Sequence, residues 1–102
     1  MRTPSVGVHE KGDISIEKLL RLMKSNKRFK QVGALACFMG YVRGFTHEGK
    51  RVKTLELEAY GERTEEVFRE IAQKIKSRPC VVEVFVHHVA GRLRIGDLIL
   101  FV

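Results

Sequence analysis

The feature that most limits what this chain can become is the run Gly33-Ala-Leu-Ala-Cys-Phe-Met-Gly-Tyr-Val42, ended by Arg43. Both alternating sets of side chains are apolar: Leu35, Cys37, Met39 and Tyr41 on one side, Ala34, Ala36, Phe38 and Val42 on the other. A strand with one wet face alternates apolar with polar residues, so this pattern predicts a strand over 33–43 that is covered on both faces. A fold that contains it needs layers above and below a sheet. Gly40 within the run predicts a bulge, or another group passing close to the backbone. Gly44 and Gly49 then keep the following loop pliable.

The rest of the chain can supply those layers. Asp13 or Ser15 can cap a helix whose apolar stripe is Ile16, Leu19, Leu20 and Met23, with lysines and arginines opposite. From Val52 to Tyr60, Leu55, Leu57 and Ala59 alternate with Glu56 and Glu58. That is a half-exposed strand, and with 33–43 it predicts a long-looped hairpin. Gly61 introduces a second helix, in which Val67, Phe68, Ile71, Ala72 and Ile75 form one face to lie on a sheet; Arg78-Pro79 stops it. Cys80 to His88 reads as a β-branched strand, Gly91 to Asp97 as a glycine-bracketed connection, and Leu98 to Val102 as the start of a further strand. Residues 1–12 have little pattern and read as a flexible arm. The expectation is an α+β fold over 1–102 as a single domain, with two helices packed on a mainly antiparallel sheet.

Charge comes next, because it bears on partners. The 102 residues carry a net charge of +7, much of it in Lys18, Arg21, Lys24, Lys27, Arg28 and Lys30. Such a cluster attracts phosphates of any kind and by itself names no partner. The aromatic residues are too scattered to stack nucleobases, which argues against nucleic acid. No apolar run reaches about eighteen residues and the start lacks a secretory pattern, so the expectation is no membrane and a reducing, cytoplasmic setting. Cys37 and Cys80 lie in apolar runs without ligand spacing and read as small buried hydrophobes, with a disulfide framework or a zinc site as the alternatives. No metal and no cofactor is expected, since neither a GxGxxG nor a Walker pattern occurs. His87 and His88 are neighbours on a strand and must point to opposite faces, one of them toward the core. Glu56 and Glu58 read as solubilising charges. That leaves Arg43, a guanidinium at a strand exit beside a pliable loop. It is either an anchor for phosphate or carboxylate, or an ordinary surface arginine.

Four stretches taken together resemble a known family. Gly33-Ala-Leu-Ala-Cys-Phe-Met-Gly-Tyr-Val-Arg-Gly-Phe-Thr46, Leu55-Glu-Leu-Glu-Ala-Tyr60, Thr64-Glu-Glu66 and Gly91-Arg-Leu-Arg-Ile-Gly-Asp97 are similar, in order and spacing, to the large, catalytic subunit of molybdopterin synthase. The resemblance implies an α+β fold of the α/β-hammerhead type and a homodimer. It also implies a small ubiquitin-like partner whose Gly-Gly tail, carried as a thiocarboxylate, gives sulfur to cyclic pyranopterin monophosphate. The family's Val-Arg motif falls on Tyr41, Val42 and Arg43, which makes them the expected substrate-binding residues. Its His-Arg pair is His88-Val89 here, so His88 and the nearby Arg92 are further candidates, with Arg94 close by. The family's catalytic lysine belongs to a segment beyond the last strand present here. These 102 residues are therefore expected to bind substrate and partner tail without turning over alone.

Overall fold

The first helix begins where a capping side chain stands. In the computed structural model, which describes residues 5–57 and 61–102, α1 is Ile16–Lys24, and the Lys18 amide donates to the Ser15 hydroxyl at 3.2 Å. This satisfies one of the amides that a helix start leaves without a partner. Leu19 and Met23 are buried against Phe101, with Phe85 and Leu98 beside them. The second helix, α2, spans Gly61–Lys76. Its Phe68 and Ala72 pack on Val6 and Val86. Val67, Ile71 and Ile75, expected on the same buried face, stay exposed. They form a separate i, i+4, i+8 row, and no described element covers it.

Five strands complete the fold: β1 Val6–Glu10, β2 Met39–Tyr41, β3 Thr54–Leu57, β4 Val86–Arg94 and β5 Leu98–Phe101. Their order is β1-β4-β5-β2, with β3 also pairing β4. Only β1 and β4 run parallel; the other pairings are antiparallel, so the expected α+β class with a mainly antiparallel sheet is what forms. β4 is the common member. Val86 to Ala90 pair with β1, and Gly91 to Arg94 pair with β3. The change of partner falls at Gly91, whose φ of 109° suits glycine alone.

Several expectations need correction. Within the arm expected over 1–12, Val6–Glu10 is a strand, β1, which joins the sheet beside β4; residues 1–4 lie outside the described residues. The strand expected over 33–43 shrinks to Met39–Tyr41, and Ala34 to Phe38 are exposed. Only Val42 of this run is buried, so the two-sided cover expected for it does not form among the described residues. The bulge foreseen at Gly40 does occur, as a register shift between Gly40 and Tyr41. The expected hairpin of this strand with 52–60 does not form: β2 pairs β5, and β3 pairs β4. The loop closes on itself instead, with Phe45 bridged to Arg51; the strand's last residues, 58–60, lie outside the described residues. β4 starts at Val86 rather than Cys80 and runs through Gly91 to Arg94, so the connection is only 95–97. Both cysteines are exposed, not buried. Among the described residues, no helix is long and apolar enough to cross a membrane.

Candidate functional site

The corner around Arg43 is rigid by backbone, not by side chains. Val42 is buried among Val89 and Leu93. Its amide donates to the Asp97 carbonyl and its carbonyl accepts from the Gly96 amide, both at 2.9 Å. Arg43 thus leaves a main chain clamped to the β4–β5 turn. That turn is itself closed. The Arg94 amide donates to Asp97 Oδ2 at 2.7 Å, and Lys11 Nζ reaches the same oxygen at 2.8 Å. The Lys11 ammonium and then the Arg94 amide hold the Asp97 carboxyl below its usual range. Gly44 lies beside the Ile95 side chain, and its carbonyl accepts from the Val52 amide at 2.9 Å, so the loop leans on the turn.

Arg43 is exposed and forms no ion pair among the described residues. A guanidinium on a fixed stem, with its charge uncommitted, can take an oxyanion through two parallel hydrogen bonds. Tyr41 is also exposed, its hydroxyl 3.6 Å from Met39 Sδ. Val42 contributes to the corner by fixing its backbone, because its side chain is in the core.

The other two candidates are held elsewhere. His88 is half-buried; its Nδ1–H donates to the Ile99 carbonyl at 3.0 Å, and its ring meets Phe68 of α2 edge-on. It sits in a row with Leu100 and Gly40, two strands from β2, or roughly 10 Å. Arg92 is exposed opposite Glu56 of β3, four residues along β4 from His88, or roughly 13 Å. Tyr41, Val42 and Arg43 therefore form one corner, and His88 and Arg92 belong to two other places on the sheet.

Sequence reasoning missed a second polar feature. His9 of β1 and His87 of β4 stack with ring centroids 5.0 Å apart, and His9 Nε2 lies 2.8 Å from His87 Nδ1. A Cβ on Gly7 would stand 2.9 Å from His9 Nε2, so glycine makes room for the stack. His87 is 1% exposed, and its Nε2 has no partner among the described residues. Burial, then the neighbouring His9, pushes its pKa down to about 4. Burial lowers His9 as well. Two neutral imidazoles sharing one hydrogen bond are a packing device here, since substrate cannot reach His87. The available signal was the spacing Gly7-x-His9 next to the alternating Val6 and Val8, which reads as a strand once the arm assignment is dropped. Among the described residues, no three His, Cys, Asp or Glu side chains converge as a metal-binding set.

A groove of about 640 Å³ lies apart from the Arg43 corner, between residues 31–38 and 80–85. Its lining holds Glu83 and no lysine or arginine, so it is no anion site.

Comparison with known proteins adds an independent line. The family model described as MoaE protein matches residues 9–102. A molybdopterin synthase catalytic subunit from Nostoc is 42% identical over 67 residues, covering 65% of this chain and 40% of the relative. One from Ralstonia nicotianae is 30% identical over 99 residues, covering 97% of this chain and 54% of the relative. The chain thus spans about half the length of these curated relatives. Among solved structures, molybdopterin synthase from Staphylococcus aureus superposes with a TM-score of 0.79 at 25% identity, over 97% of this chain and 68% of that one. Molybdopterin cofactor biosynthesis protein E from Burkholderia multivorans gives 0.75 at 29%, over 94% and 59%.

Proposed function

The chain belongs to the MoaE protein family, and on that premise we propose that it serves molybdenum cofactor biosynthesis as a homologue of the molybdopterin synthase catalytic subunit. The reaction class is sulfur transfer from a small-subunit thiocarboxylate to cyclic pyranopterin monophosphate. Its physical difficulty is that two anions, the tail and the phosphate, must lie side by side. At contact distance their repulsion is about 4 kcal/mol near a protein surface, which a fixed cation offsets. Arg43 is that cation. The observation that carries this reading is its uncommitted guanidinium on the clamped Val42 backbone, at the position where the family's Val-Arg motif falls.

Acyl transfer also needs a group that engages the thiocarboxylate carbon. Lys50 is the lysine nearest Arg43 in sequence; it is 78% exposed on a loop and only 3.7 Å from Glu48. A solvated lysine paired with a carboxylate is a poor nucleophile. These 102 residues therefore bind both anions and leave turnover to a lysine they do not carry. We further propose a homodimer, supported by the exposed Val67, Ile71 and Ile75 row, and a reducing cytoplasm, supported by two exposed, unpaired cysteines. The test is to mix the chain with thiocarboxylated small subunit and cyclic pyranopterin monophosphate, then measure binding by calorimetry and dithiolene formation by absorbance. Binding without dithiolene is the expected result. Absence of binding to both the small subunit and the precursor would overturn the reading, and dithiolene formation would overturn its catalytic half.

A further inference from the structure

The excess positive charge of this chain is concentrated, not spread. Residues 18–47 contain no aspartate or glutamate, and their seven lysines and arginines equal the net +7 of the whole chain. Elsewhere the two signs balance. Arg43 is one of the seven. The other six, Lys18, Arg21, Lys24, Lys27, Arg28 and Lys30, follow one another along α1 and the turn after it, and all are exposed.

The fold orders these six on one side. Leu19 and Met23 turn the opposite side of α1 into the core. At about 100° per residue Arg21 points away from them, with Lys18 and Lys24 about 60° to either side and about 4.5 Å apart along the axis. The chain stays tightly bonded past the helix end. The Asn26 amide donates to the Met23 carbonyl at 3.2 Å, the Phe29 amide to the Asn26 carbonyl at 2.9 Å, and the Arg28 amide to Asn26 Oδ1 at 2.8 Å. Arg28 Nε donates to Gln31 Oε1 at 3.3 Å, which aims the guanidinium. Lys27, Arg28 and Lys30 therefore extend the α1 row on ordered backbone.

Stability of the helix accounts for two of the six. Arg21 and Lys24 lie in the last turn, where cations favour the helix dipole. Lys18 is in the first turn, where the dipole opposes it, and the remaining three lie beyond the helix. None of the six forms an ion pair among the described residues. Glu17 borders the row at its start, and Glu83, across the groove, is tied to Lys76 at 3.2 Å.

The absence of apolar side chains from this face narrows the partner. No large exposed hydrophobic residue falls within 16–31 among the described residues. A protein interface needs apolar or aromatic anchors at its centre, and a membrane-bound helix needs an apolar face to insert, which α1 spends on the core. Phosphates need only cations on a fixed frame. The scattered aromatics exclude stacking on bases, so the contact is with a backbone whose bases are paired away inside. We propose that the outer face of α1 and the turn to Lys30 bind the phosphodiester backbone of a nucleic-acid duplex without reading its sequence. This is independent of the sulfur-transfer reading, since it does not use the Arg43 corner.

The probe is a fluorescein-labelled DNA duplex of about 24 base pairs, titrated with the 102-residue chain at salt concentrations from about 25 to 200 mM and followed by anisotropy. Binding should saturate at low salt, and the logarithm of the affinity should fall against the logarithm of salt with a slope of about −5, as six phosphate contacts require. The triple variant Lys27→Gln, Arg28→Gln, Lys30→Gln should reduce that slope by about 2 to 3 and the low-salt affinity at least tenfold, with an unchanged circular dichroism spectrum. A control removes as much charge from exposed positions on α2, as Arg63→Gln, Arg69→Gln, Lys74→Gln, and should leave the slope within about 0.5 of the parent. Three results would overturn the proposal: no saturable binding at the lowest salt, the same loss of slope in both variants, or equal affinity for poly-L-glutamate of matched charge. The last would assign the face to an acidic polypeptide.

Discussion

The two ends of the β4–β5–β2 sheet differ more than any other pair of regions in the molecule. At the β4–β5 turn, Val42, Arg94, Gly96 and Asp97 use their backbone groups within a few residues of one another, and Lys11 adds an ion pair. At the opposite end, Phe38 and Val102 exchange two backbone hydrogen bonds, and Ala34 to Phe38 lie exposed beside the groove. The closed end can hold a cation still, and it carries Arg43. The two ends therefore differ in how firmly each can hold a side chain in place.

Phe101 lies one rung inside the Phe38–Val102 pair, 1% exposed and packed on Leu19 and Met23. Replacing it with alanine should cost about 3–5 kcal/mol, measured as a fall in the urea midpoint at unchanged m. A loss below about 1 kcal/mol would mean the closed half does not depend on that rung.

His87 shares the rung and makes the closed half sensitive to acid. Its folded pKa is about 4 against an ordinary 6.5. Between those values the unfolded chain takes up a proton that the folded chain refuses. Stability is therefore full above pH 6.5, falls as the pH drops toward 4, and is flat below. The loss amounts to about 3 kcal/mol, with His9 acting in the same direction. Denaturant titrations across that range should show the slope, and His87→Phe should flatten it. A slope unchanged in the variant would place the acid sensitivity elsewhere.

Arg43→Ala separates function from fold at the closed end. Phosphate or partner-tail binding should weaken by about 1.5–3 kcal/mol by calorimetry, while stability stays within about 0.5 kcal/mol. Equal affinities would return Arg43 to an ordinary surface charge. The smallest effect belongs to Ser15→Ala, which removes the α1 cap and should cost about 1 kcal/mol in thermal or urea unfolding, with Arg43 binding untouched. A change in anion affinity there would show that α1 and the Arg43 corner are coupled.

Much of the fold could be read from the residues, and the site only in part. Ser15, the stripe through Leu19 and Met23, the Gly40 bulge and the stop before Pro79 are local signals, each complete within a turn or two of chain. Arg43 stood out because a cation ended an apolar run. His9 did not, because its meaning depends on a residue 78 positions away.

By itself, the sequence determined the two helices, the strand character at Met39–Tyr41, Thr54–Leu57 and Leu98–Phe101, and the class of fold they make. Only the tertiary structure decided the pairing: that Val6–Glu10 is a strand and joins β4, and that β2 and β3 part company. The reason is physical. Alternation and capping are set by a side chain and its near neighbours. A strand's hydrogen bonds, in contrast, are satisfied equally well by any edge of the right spacing, so the chain's own local pattern cannot say which edge will arrive.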